Sequence, residues 1–229
     1  MIVFRDVTAV VSSGRIRNTV LENLSLTLPT DESLVVLGHE GTGKTTLIRL
    51  LAGAVSPTSG TIERYVRVSY PVGFAGGFKQ AMSVRQNISH AALLYGADPD
   101  EVVAFVAAAS GMEAELHESY GNLPPQLRLK LAYALSYAIP FDVYLIDNRV
   151  AMGDNDFRAT CEYIFDQRMQ TSRFILTTSV PRYAKRFAKK GAILRDRQIL
   201  LHDDIDRAIW EFERLTAPSN ARERAVLHD

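Results

Sequence analysis

Leu24, Leu26 and Leu28 recur with a period of two, and Val3, Val7 and Val10-Val11 do so more loosely. Ser12-Ser13-Gly14 separates the two runs. Such alternation puts one set of side chains on one face of a pleated strand, so the N-terminal stretch predicts a β-hairpin or small antiparallel sheet. Leu34-Val35-Val36-Leu37 lacks polar alternates, the pattern of a strand buried on both faces. A glycine-rich turn comes next, then a predicted helix from Lys44 to Ala52, with Gly53 as its stop.

From about residue 78 to 139 the pattern turns helical. Ser83, Asp98-Pro99 and Pro124-Pro125 each read as a helix start, and the segments after them carry helical periodicity. This predicts a helical subdomain inserted into the sheet. Strand and helix then alternate again: strand 142–147, helix about 154–169, strand 172–177, helix about 182–189. Two short strands flank Arg195-Asp196, a final helix begins near Asp204, and the last ten residues are polar and expected to fray.

A chain of 229 residues can bury one α/β core, so residues 1–229 are read as a single domain. Lys plus Arg number 26 and so do Asp plus Glu, which argues against a basic face for nucleic acid or a polybasic membrane anchor. No stretch approaches the roughly 18 apolar residues of a spanning helix. Met1-Ile2-Val3-Phe4-Arg5-Asp6 lacks the basic-then-apolar order of a signal sequence. The chain is therefore expected to stay where it is made, without membrane insertion of its own. Its one cysteine, Cys161, excludes an intrachain disulfide, fits a reducing cytoplasm, and is expected to be a small buried apolar side chain.

Gly38-His39-Glu40-Gly41-Thr42-Gly43-Lys44-Thr45 satisfies the phosphate-binding P-loop pattern in full, with Thr46 next. Backbone N–H groups of such a loop point inward, and the helix after it adds its positive end. Lys44 would reach the β- and γ-phosphates of ATP and the Thr45 hydroxyl would ligate Mg²⁺. A buried strand before the loop and a helix after it argue against a chance match. Phe141-Asp142-Val143-Tyr144-Leu145-Ile146-Asp147 is an apolar strand ending in an acid, the Walker-B form, and Asp147 would help hold the Mg²⁺.

With both motifs placed, the chain resembles ABC-transporter ATP-binding subunits, and among them those of bacterial capsular-polysaccharide exporters. Leu34 through Ile62 carries the P-loop part of the resemblance. More telling are Ser69-Tyr70-Pro71-Val72-Gly73-Phe74-Ala75-Gly76-Gly77-Phe78 with Ser83-Val84-Arg85-Gln86-Asn87-Ile88, then Val143 to Asp154 and Asp203 to Ile209. The resemblance implies an α/β fold: a P-loop NTPase core of ABC type with a small antiparallel β part and an inserted helical subdomain at about 78–139. It also implies ATP and Mg²⁺ as cofactors and a second ATP-binding subunit, identical or different. The partner in the membrane would be a permease that exports a polysaccharide, with this chain peripheral on the cytoplasmic face of the inner membrane. Residues 74–95, rich in Phe74, Phe78 and Met82, are expected either to receive that permease or to be buried within the chain.

The catalytic accessories depart from the family pattern. The family's glutamate after the Walker-B aspartate is here Asn148, whose amide cannot accept a proton at neutral pH. Ser179 occupies the place of the switch histidine. Leu123-Pro124-Pro125-Gln126-Leu127 stands where the family has Leu-Ser-Gly-Gly-Gln, and both prolines lack an N–H. Lys79, with Gln80 beside it, falls at the Q-loop glutamine, and Val11 at the aromatic that stacks on adenine. Pro124-Pro125 also reads simply as a good helix start, and Arg128 and Lys130 as a solvated helix face. Two functions therefore stand open: an energy-coupling subunit with impaired hydrolysis, or a scaffold locked by ATP without turnover. A soluble P-loop kinase is disfavoured, because no lid with clustered arginines is visible.

Overall fold

The structure, a computed structural model, describes residues 1–13 and 16–216. The turn expected at Gly14 and the expected fraying of the last ten residues lie outside them. The chain divides into two compact units, one of residues 1–66 with 174–229, the other of residues 67–173.

In the first unit, β1 (Ile2–Ser13) lies between β2 (Ile16–Leu28) and β4 (Ser59–Arg64), antiparallel to both. The loose valine period has a cause here. Asp6 at φ 49° and Asn23 at φ 47° break the ladder, and the register shifts between Phe4 and Val7. Each irregularity is held by a hydroxyl: the Asp6 N–H donates to Ser25 Oγ and the Asn23 N–H to Thr8 Oγ1. The buried residues on β1 are therefore Ile2 and Phe4 before the bulge and Val7 and Ala9 after it, with Val3 only half-buried. Leu24 and Leu28 are buried on β2 and Leu26 partly so, as their spacing predicts.

The same unit holds β3 (Leu34–Leu37), β8 (Lys190–Arg195), β9 (Gln198–His202) and β7 (Arg173–Thr178), whose first residue falls across the unit boundary. They lie side by side in the order β7-β3-β8-β9. β3 is parallel to β7 and β8, and every one of its residues is buried. Among the described residues three helices complete the unit: α1 (Lys44–Leu51), α6 (Pro181–Phe187) and α7 (Ile205–Thr216). α1 stops as the sequence predicts, with Gly53 at φ 71°. Its last carbonyls, on Leu50 and Leu51, accept from the Arg64 guanidinium, a cation at the negative end of the helix.

In the second unit β5 (Val68–Pro71) pairs in parallel with β6 (Val143–Asp147). α2 (Val84–Leu94), α3 (Pro99–Ser110), α4 (Pro125–Ala138) and α5 (Asn155–Arg168) accompany them. The helix starts read from the sequence are all in place. Ser83 and Gln86 form a reciprocal capping box, Asp98 accepts from the N–H groups of Asp100 and Glu101, and Pro125 opens α4. Cys161 is buried on α5. β4 and β5 were not legible as strands: Ser59–Arg64 is exposed or half-buried throughout, and β5 is short and ends in proline.

Candidate functional site

The phosphate loop begins at the carboxyl end of β3. There the Gly38 N–H donates to the Thr178 carbonyl oxygen at 3.1 Å, tying the loop's first residue to the last residue of β7. Ser179, half-buried, is the next residue, so the chain itself carries it to this edge of the sheet. The loop turns through Gly41 at φ 80° and Gly43 at φ 99°, conformations that a Cβ disfavours. Gly43 has a second reason: a Cβ there would lie 2.0 Å from Cγ1 of buried Val20, whereas at Gly41 nothing lies within 4 Å.

Lys44 opens α1, and its Nζ donates to the carbonyl oxygens of Gly38 at 2.7 Å and His39 at 2.6 Å. The His39 oxygen also accepts from the Thr42 N–H at 3.3 Å and from Thr42 Oγ1 at 2.8 Å. The ammonium is thus drawn over the loop at the N-terminal end of a helix that has no acidic residue in its first turn. An anion placed there meets the ammonium, the helix dipole and backbone N–H donors together. Glu40 and Thr45 are exposed, and Thr46 is half-buried in the same turn. Val11 lies on β1 opposite Asn18 and is 38% exposed, offering an aliphatic rather than aromatic surface.

In the second unit β6 is buried from Val143 to Ile146 and emerges at Asp147. Leu145 is held on both sides: its N–H donates to Ser69 Oγ and its oxygen accepts from the Val72 N–H. After Asp147 the chain turns at Asn148, exposed at φ 71°, a left-handed value that asparagine tolerates better than most residues. α4 fixes the stretch from Arg149 to Asp154. The Tyr133 and Tyr137 hydroxyls donate to the carbonyls of Arg149 and Val150. Lys130 Nζ lies 2.7 Å from Asp154, which caps α5. That ammonium, with the Phe157 N–H, holds the Asp154 carboxyl below its ordinary range.

The segment at 79–83 hangs on a buried asparagine. Asn87 accepts from the Lys79 N–H and donates to the carbonyls of Lys79, Met82 and Ser83. Gln80 is strapped to the stretch before α4: its oxygen accepts from the Ser119 hydroxyl and the Gly121 N–H. Pro124, Pro125 and Gln126 are exposed at the start of α4, which has no side-chain cap. Arg128 is not on a free solvated face. It donates to the Leu123 and Gly121 carbonyls and lies over the Tyr120 ring. An apolar cavity of about 140 Å³ opens nearby, lined by Tyr70, Phe74, Phe78, His90, Leu94 and Tyr95 among others. Phe74 and Leu94 at this cavity are exposed by 46% and 69%.

Residues 21–134 match the family described as ABC transporter. The chain is 35% identical over 190 residues to the ATP-binding protein BexA of Haemophilus influenzae, covering 83% of this chain and 88% of BexA. The chain belongs to the ABC transporter family. It is also 32% identical over 190 residues to the capsule polysaccharide export ATP-binding protein CtrD of Neisseria meningitidis serogroup B, again over 83% and 88% of the two chains. Among solved structures, a dimeric bacterial ABC transporter cassette superposes with a TM-score of 0.69 at 16% identity, over 87% of this chain and 96% of that one. The fold is accordingly that of an ABC cassette. Among the described residues no helix is long and apolar enough to cross a membrane.

The structure gathers Gly38 to Thr46 and Ser179 at one sheet edge of the first unit, and places Asp147 and Asn148 at the end of β6 in the second. Sequence reasoning passed over Asn87 and gave Arg128 no partner. The capping box at Ser83 was the available clue to the first, since an asparagine one turn into a capped helix is well placed to reach back to the loop before it.

Proposed function

We propose that this chain is the ATP-binding subunit of an ABC exporter that moves a polysaccharide. It would be held peripherally at the cytoplasmic face of the membrane by a permease and paired with a second ATP-binding subunit. The observation that carries the reading is the phosphate loop: two left-handed glycines, a lysine held over the loop's carbonyls and a helix N-terminus behind it. Similarity to BexA supports ATP binding, similarity to the capsule polysaccharide export protein CtrD supports the export role, and the dimeric cassette supports pairing. Gly38 to Thr46 would cradle the phosphates. Thr45 supplies a hydroxyl and Asp147 a carboxylate, the hard oxygen donors that Mg²⁺ takes alongside water.

Hydrolysis is impaired on this reading. Asn148 lacks a carboxylate to polarise the attacking water, and Ser179 carries no charge that could stabilise the departing phosphate. Pro124 and Pro125 remove two N–H donors where a partner's nucleotide would lie. The apolar cavity with exposed Phe74 and Leu94 is the surface we assign to the permease. Calorimetry with Mg²⁺-ATP tests the core of the proposal. Lys44→Ala should weaken binding by roughly tenfold or more, because a charge-assisted phosphate contact is lost. Equal affinity in the variant would mean that the loop does not hold the nucleotide.

A further inference from the structure

The phosphate loop is braced from a side that its chemistry does not require. On α7 Ile205, Ala208 and Phe212 are buried, three and four residues apart, so one stripe of the helix faces the sheet. The helix lies close to β8 at Gly191, where a Cβ would meet the Ala208 Cβ at 2.5 Å. That close seat brings Phe212 to the carboxyl edge of β3. Its ring stacks on His39, with centroids 4.7 Å apart and planes 23° apart. Beside the stack lies a cavity of about 160 Å³, lined by Ile193, Leu194, Arg195 and Leu215 together with His39 and Phe212 themselves.

His39 is the residue whose carbonyl gathers the loop, accepting from Lys44 Nζ, the Thr42 N–H and Thr42 Oγ1. It is also the last residue on the anchored limb, one past the Gly38–Thr178 bond and before the left-handed Gly41 and Gly43. We propose that Phe212 is a positioning residue for the phosphate loop, coupling α7 to nucleotide binding through the His39 stack. The proposal rests on the ATP-binding reading above. A glycine-rich loop has backbone freedom to lose when it closes on phosphates, and clamping His39 removes part of that loss beforehand. Coupling of this kind is reciprocal: what fixes α7 favours the nucleotide, and the nucleotide fixes α7.

The chain carries its own reporter. Trp210, the single tryptophan, lies on α7 under the Arg214 guanidinium at 4.8 Å. Mg²⁺-ATP is titrated into the full chain and into His39→Ala, Phe212→Leu, Phe212→Tyr and the His39→Ala/Phe212→Leu double variant, by calorimetry and by tryptophan emission. His39 is exposed, so its truncation removes the stack without opening the core. Expected is a loss of about two- to tenfold in ATP affinity for each of the first two variants, the range an aromatic pair spans. Phe212→Tyr should keep wild-type affinity, and the double variant should bind no more weakly than the weaker single one. ATP should change Trp210 emission in the wild type and leave it unchanged in saturated His39→Ala. Wild-type affinity in His39→Ala, or an undiminished emission change there, would overturn the coupling alone. A wild-type chain that binds no ATP would overturn the site reading and this inference with it.

Discussion

Replacing Gly43 by alanine imposes two separate costs. The φ of 99° is strained for any L side chain, about 1–2 kcal/mol. The new Cβ would also stand 2.0 Å from Val20 Cγ1, and Val20 is buried in the long strand β2, so relief requires moving either the strand or the start of α1. Overpacking of that kind costs about 1–3 kcal/mol. Gly41→Ala carries only the first cost, because nothing lies within 4 Å. The two variants should therefore differ by about 1–3 kcal/mol in stability, roughly 2–12 °C in Tm for a chain of this size. Gly43→Ala should also lose more ATP affinity. Introducing Val20→Ala should bring the two glycine variants together when each is compared with Val20→Ala alone, a coupling that a double-mutant cycle measures. Equal melting of the two variants beside native Val20, or a gap that survives Val20→Ala, would refute the steric account.

Asn87→Ala leaves the Lys79 N–H without its acceptor and takes one of two donors from the carbonyls of Lys79, Met82 and Ser83, which keep a backbone N–H each; it should cost about 1–3 kcal/mol, with faster amide exchange at 79–83 as the specific sign. Burial pushes the Cys161 thiol up to about 12, so a thiol reagent at pH 8 should label it only on unfolding. Because the folded pKa is raised, this contribution to stability is fully present below the ordinary thiol value of 9.0 and is lost as pH rises toward 12, which urea midpoints at pH 8 and pH 10 would register. Cross-linking from Lys79 should capture the permease; cross-links found only elsewhere on the chain would remove the docking surface from the account.

The phosphate loop was legible because its requirements are local: the glycines, the lysine and the flanking strand and helix are consecutive in sequence. Helix starts at Ser83, Asp98 and Pro125 were legible for the same reason. The inward face of β1 was not, because the irregularity at Asp6 shifts the period and makes Ile2 and Phe4, rather than Val3, the buried residues. Asn87 and Arg128 were missed because their partners are backbone carbonyls of loops, which any residue type supplies and only the folded chain brings within reach. The His39–Phe212 stack joins residues far apart in sequence, and no periodicity records such a pair.

Phosphate release from the purified chain under saturating Mg²⁺-ATP tests the central claim most directly, measured beside Lys44→Ala and beside the chain reconstituted with its permease and any second ATP-binding subunit. The account predicts turnover near background for the chain alone although ATP is bound, and hydrolysis only when a partner supplies the missing groups. Robust turnover by the chain alone, abolished by Lys44→Ala, would contradict it.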